Sequence, residues 1–94
     1  MSDKLAKHRC DDVIHILKIW PDYFNAIISG VKRFEIRKID DCKVGDLLSL
    51  HEYCPESKDF TGRVTSLLEV VYISEFEQKP GYKVLGFVMK GDVS

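Results

Sequence analysis

The sequence predicts a mainly β fold of the α+β class: a small barrel, closed or partly open, of about five strands with one short helix after the first. Three observations carry this expectation. Runs of β-branched and aromatic residues recur along the chain with glycine, proline and aspartate between them. A single stretch places apolar residues at helical spacing, namely Tyr23, Phe24, Ile27 and Ile28. A chain of 94 residues fills one modest core, and a lone flat sheet of that size would leave its edges unpaired. The domain is expected over residues 12–90, with a flexible leader at 1–11 and a polar tail at 91–94.

Asp12–Ile19 reads as a buried first strand, with His15, Leu17 and Ile19 on one parity and Ile14, Ile16 and Lys18 on the other. Pro21 suits the first helical position, Asp22 complements the helix N-terminus, and Ile19 and Phe24 stand where a hydrophobic staple needs them. A helix therefore starts at Pro21, buries Tyr23, Phe24, Ile27 and Ile28, and stops at Gly30, which takes up the left-handed conformation most easily. In the following strand, Phe34 and Ile36 face one way while Arg33, Glu35 and Arg37 face the other. That spacing puts Glu35 and Arg37 about 6.6 Å apart on one face. Lys32 lies off that parity, at the start of the strand, where a long side chain can curl to the same edge.

Ile39–Lys43 is a polar connection, and Val44-Gly45-Asp46 turns it into a third strand, Leu47–Tyr53. Leu48, Leu50 and Glu52 share a parity, so a carboxylate ends an apolar face and is expected to be held by a cation. Pro55–Asp59 is a loop. Thr61–Ser74 reads as one long strand bent by a bulge, Glu75–Tyr82 as a loop around Pro80-Gly81, and Lys83–Lys90 as the closing strand.

Composition excludes several classes. Hydrophobic residues make up 45% and charged residues 31%, an ordinary globular balance, and no apolar run approaches the ~20 residues of a membrane-spanning helix. The charged segment 1–9 has no apolar core and is not expected to be a signal peptide, so cytoplasmic residence is the default expectation. Cys10, Cys42 and Cys54 form no Cys-x-x-Cys pair and are expected to be reduced thiols. His8, Cys10, Asp11, Asp12 and His15 gather near the start, but their spacing fits no common ligand pattern, so neither a metal nor a cofactor is expected. The net charge of −1 gives no global attraction to nucleic acid. Any attraction is local, and Lys32, Arg33, Arg37 and Lys38 concentrate it within residues 32–38.

The pattern Gly30-x-Lys32-x-x-Glu35-x-Arg37 resembles the signature of the ASCH domain family. The resemblance extends to His15-x-Leu17-Lys18, Tyr23-Phe24, Val44-Gly45-Asp46, Glu52 and Thr61-Gly62-Arg63, and so covers roughly residues 12–90, in the manner of the small bacterial and phage branch without an assigned activity. It implies a PUA-like β-barrel, with the signature Lys, Glu and Arg lining a cleft beside the helix that takes RNA or nucleotides.

Three readings of the charged residues follow. In the first, Lys18, Lys32, Glu35, Arg37, Lys38, Glu52 and Arg63 form a binding site for RNA or a nucleotide. Trp20, Tyr23, Tyr53 or Tyr72 then offers a stacking face, with Trp20 and Tyr53 preferred, although Tyr23 reads more simply as helix core and Trp20 as a helix-entry packing residue. In the second, the same charges are cross-strand surface ion pairs, worth about 0–1 kcal/mol each and without function. In the third, the protein is a small hydrolase. Some ASCH relatives are amidohydrolases of acylated cytidine nucleosides and others have been described as ribonucleases; the amidohydrolases resemble this chain at Lys32, but Glu35 stands where their threonine would be. Were there catalysis, Lys32 and Glu35 would carry it. Binding is the preferred expectation, by a monomer or weak homodimer with no membrane partner.

Overall fold

The computed structural model describes residues 12–90. Six strands and one helix follow in the order β1 (Ile14–Ile19), α1 (Pro21–Ile28), β2 (Phe34–Lys38), β3 (Leu47–Cys54), β4 (Asp59–Val64), β5 (Leu68–Ser74) and β6 (Tyr82–Met89). They form one sheet in the order β1-β3-β5-β6-β2, with β4 also paired to β3. The β1–β3 pair is parallel and the others are antiparallel. The described residues are therefore β-rich with a single helix, as expected, but β1 and β2 end the path as two edges and backbone pairing does not close it into a barrel.

The helix starts as its sequence dictates. Pro21 occupies the first turn and Trp20 is the N-cap, its carbonyl accepting from the Phe24 N–H at 2.9 Å. Ile19 and Phe24, the two halves of the staple, are both buried in the core. At the other end Gly30 has φ +85° and its N–H donates to the Ile27 carbonyl at 3.0 Å, while the Lys32 N–H donates to the Ala26 carbonyl at 3.0 Å. The chain thereby reverses straight into β2. Space is free around a Cβ built on Gly30, so Gly30→Ala meets only the left-handed backbone, at about 1–2 kcal/mol. Chemical denaturation is expected to show that loss without a change in far-ultraviolet dichroism; an unchanged midpoint would mean that the turn relaxes.

Three expectations are corrected. The helix buries only Phe24 and Ile27; Tyr23 and Ile28 are exposed, because an eight-residue helix packed on one sheet covers a narrow stripe. The first strand is not buried: Ile14 and Ile16 face outward, since β1 is an edge strand covered on one side. The long strand Thr61–Ser74 is two strands, and the closing strand begins at Tyr82. Between β4 and β5, Thr65 keeps the ladder going with its side chain as well as its backbone: its N–H donates to the Leu50 carbonyl at 2.9 Å and its hydroxyl accepts from the Leu50 N–H at 3.1 Å. Beyond it the chain turns from one neighbour to another. β4 pairs with the end of β3, whereas β5 touches β3 only at Leu47–Glu69 and Leu48–Leu68 before running along β6.

Leu48, Leu50, Leu68, Val70 and Leu85 are fully buried and form the centre of the core, with Ile19, Phe24, Ile27, Cys42 and Phe87 around them. This core decides which face of β2 points inward. Directly opposed residues share a face, and Glu35 is opposite the buried Leu85. Glu35 is consequently 6% exposed while Phe34 is 44% exposed, so the apolar pair of β2 faces out and its carboxylate faces in.

Candidate functional site

Glu35 can point inward because two cations meet it there. The Lys32 ammonium donates to Glu35 Oε1 at 3.0 Å and Arg37 Nε donates to Oε2 at 3.0 Å, so each oxygen is engaged. Lys32 does curl to this edge: its ammonium also donates to the Phe34 carbonyl at 2.6 Å and lies 4.1 Å from the centre of the Phe34 ring. Arg37 reaches further. Its Nη2 donates to the backbone carbonyl of Lys18, spanning the gap between the unpaired edges of β2 and β1. One carboxylate thus fixes a guanidinium that stitches two strands without a ladder between them.

Above this stitch lies a cleft of about 380 Å³, lined by Lys18, Ile19, Trp20, Tyr23, Glu35, Ile36 and Arg37. Its aromatic wall comes from the entry of the helix. Trp20 is 54% exposed and Tyr23 is 52% exposed, and among the described residues Trp20 takes part in no ring pair or cation–π contact. Lys18 adds a cation whose ammonium sits 4.3 Å over the Tyr53 ring, and Tyr53 packs edge-on to Phe60 at 5.1 Å. Tyr53 is accordingly covered on the face that a base would need. A larger groove of about 520 Å³ runs between the helix end and β6, where Lys32 and Arg33 are the charged lining residues among mainly apolar neighbours. The smaller cleft has the more specific chemistry, since cations and the open Trp20 ring converge there beside Tyr23, whose ring centre lies 5.7 Å from the Lys32 ammonium.

Glu52 makes a second buried carboxylate, 3% exposed. The Thr61 hydroxyl donates to its Oε1 at 2.6 Å and Arg63 Nη1 donates to Oε2 at 3.5 Å. The cation expected to hold Glu52 is therefore Arg63, supplied across the β3–β4 hairpin. Its guanidinium also stands 4.6 Å from the centre of the Phe24 ring and donates to the Asn25 side-chain oxygen at 3.3 Å, clamping the hairpin to the helix. Every buried side-chain polar atom among the described residues has a partner.

The residues singled out from sequence thus divide. Lys18, Trp20, Glu35 and Arg37 line one cleft, and Lys32 braces Glu35. Glu52 and Arg63 belong to the hairpin clamp. Lys38 is exposed at the far end of β2 with its stem over Gly81, and Tyr72 is exposed on β5 beside Gly86, neither of them lining the cleft. Sequence reasoning undervalued Tyr23 and passed over Asn25 and Thr61 as partners in the clamp; the adjacency of Thr61 to Gly62-Arg63 was the available signal for the last. Of the amino-terminal His/Cys/Asp group, His8, Cys10 and Asp11 lie outside the described residues.

Fold and cleft together define a small β-rich domain with a buried carboxylate tying two cations beside an open aromatic wall. Residues 14–87 match the model of a family described as a domain of unknown function, DUF3850, and the chain belongs to that family. No curated protein matches the chain. No helix among the described residues is long and apolar enough to cross a membrane.

Proposed function

We propose that the protein binds single-stranded RNA or a nucleotide in the cleft between the edges of β1 and β2, as a monomer or weak homodimer and without chemistry on the ligand. One observation carries the reading: Trp20 and Tyr23, both about half exposed, stand in one concavity with Lys18 and Arg37. An unpaired nucleotide offers a base π-face to the aromatic wall and a phosphate to the cations, and that combination suits unstacked nucleotides better than duplex. Glu35 holds Arg37 in place while the guanidinium keeps further donors for a phosphate. The likeness of Gly30, Lys32, Glu35 and Arg37 to the ASCH signature supports the same reading, and the corner at Thr65 together with the Arg37 stitch is in keeping with a partly open, PUA-like barrel. A hydrolase has less support, because the described residues lining the cleft include no aliphatic hydroxyl or thiol and Thr61 is committed to Glu52.

Titration of a fluorescent single-stranded RNA at increasing salt tests the proposal. Affinity is expected to fall with salt, each phosphate contact adding about 0.7 to the logarithmic slope. Trp20→Ala is expected to weaken binding by about 1–3 kcal/mol, roughly 5- to 150-fold, because one stacked base is lost and the side chain has no part in capping the helix. Lys18→Ala is expected to flatten the salt slope. Equal affinity for wild type and Trp20→Ala, or no binding at low salt, would overturn the reading. Release of product from N4-acetylcytidine or from RNA would turn it toward the hydrolase.

A further inference from the structure

At the other end of β1 from Lys18 and Trp20, three side chains from three segments converge. His15 projects inward from β1, Cys42 sits in the connection between β2 and β3, and Asp46 ends the turn before β3. One donor atom from each lies within 4.8 Å of the other two. His15 Nε2 and Asp46 Oδ2 are 2.8 Å apart, and the Lys43 backbone N–H donates to the same Asp46 oxygen at 3.0 Å, which orients the carboxylate from behind. Cys42 is 4% exposed, while the His15 and Asp46 side chains keep a small opening to solvent.

We propose that His15, Cys42 and Asp46 bind a divalent transition ion of the zinc class, with the fourth position open to water. The donor set selects for this class: imidazole, thiolate and carboxylate suit zinc, whereas calcium and magnesium take oxygen ligands alone. The separation fits as well. Tetrahedral bonds of about 2.0–2.3 Å place ligand atoms roughly 3.3–3.6 Å apart, so His15 and Asp46 part by roughly half an ångström and the thiol closes in. Burial and the neighbouring Asp46 push the Cys42 thiol above its ordinary range, against an opposing pull from Lys83, so an unmetallated Cys42 is not a ready nucleophile. A bound cation reverses that, since coordination displaces the thiol proton. Lys83 does not occupy the position, because its ammonium donates to the Asp40 carbonyl at 3.0 Å. The ion would pin the start of β1 to the β2–β3 connection, at the end of β1 opposite Lys18.

Cobalt(II) reads the geometry directly. Protein stripped with chelator and kept reduced is titrated with cobalt, then with zinc in competition. The expected result is a saturable spectrum with the intense visible bands of a tetrahedral ion and a thiolate charge-transfer band, abolished by zinc, together with a zinc-dependent rise in melting temperature. Cys10→Ser/Cys54→Ser is expected to keep the spectrum. Cys42→Ser is expected to remove the charge-transfer band. His15→Gln and Asp46→Asn, near-isosteric changes at positions less buried than Cys42, are expected to weaken binding by at least about 100-fold. Absence of a saturable spectrum, or a spectrum that survives His15→Gln and Asp46→Asn or disappears in Cys10→Ser/Cys54→Ser, would overturn the assignment.

Discussion

Replacing Lys32 and Arg37 together by alanine is expected to lower the stability of the fold by about 3–5 kcal/mol. Each of the two cations donates to a different oxygen of Glu35, whose side chain is 8% exposed, so the double substitution strands a buried charge with no counterion. A loss of that size is a large part of the stability of a small domain, about 5–15 kcal/mol in all. Urea denaturation is expected to show three levels. Either single variant keeps one partner for Glu35 and loses less than half as much; the double variant loses most; and a triple variant that adds Glu35→Leu recovers much of the loss, because an aliphatic side chain suits the place opposite Leu85. If the double variant is as stable as wild type, water reaches Glu35 freely and the triad is only a surface ion-pair set. The same energetics explain why the RNA titration relies on Trp20 and Lys18, whose side chains can be removed without exposing this defect.

Thr61→Val is expected to cost about 1.5–3 kcal/mol, the range for a hydrogen bond to a charged group. The Thr61 hydroxyl makes the shorter of the two contacts to Glu52, and the Arg63 contact is both longer and open to solvent on the arginine side, so it compensates poorly. Valine keeps the shape and removes the donor. In a double-mutant cycle with Glu52→Gln, the two substitutions are expected to be strongly coupled, with the pair costing clearly less than the sum of the singles. Additive losses would show that Thr61 stabilises β4 for some reason other than Glu52. Because Arg63 also contacts Asn25 and Phe24, loosening this clamp is expected to reach the helix, detectable as faster amide exchange across Pro21–Ile28.

Local chemistry was legible wherever one residue decides one event. Pro21 starts the helix, Ile19 and Phe24 staple it, Gly30 ends it, and the parity of Leu48, Leu50 and Glu52 exposes the need for a cation that Arg63 meets. What sequence does not carry is the choice between faces that only a distant partner makes. The alternation of Phe34, Glu35, Ile36 and Arg37 reveals two faces of β2, yet only the register against Leu85 turns Glu35 inward. Thr65 is invisible as a corner for a similar reason: its β-branched side chain fits a continuous strand, and its hydroxyl takes the place of a backbone acceptor only because the Leu50 N–H is there to meet it. The cleft was half legible. Arg37 stands out in the density of cations at residues 32–38 and Lys18 only through the resemblance, whereas Tyr23 shares the helical spacing of Phe24 and Ile27, and only the placement of the sheet under the helix leaves it exposed.

The strand order also fixes when the cleft comes into being. Among the described residues β2 has no ladder partner except β6, so residues 34–38 wait for residues 82–89. On a ribosome, β1, the helix and the β3–β4 hairpin can assemble early, but Glu35, Lys32 and Arg37 have no template until the last strand has emerged. Late, long-range pairing of this kind slows folding and leaves intermediates with unpaired edges. Until residues 82–89 pair with β2, Lys32, Arg33, Arg37 and Lys38 have no fixed geometry, so the cleft is shaped by a contact between segments far apart in the sequence.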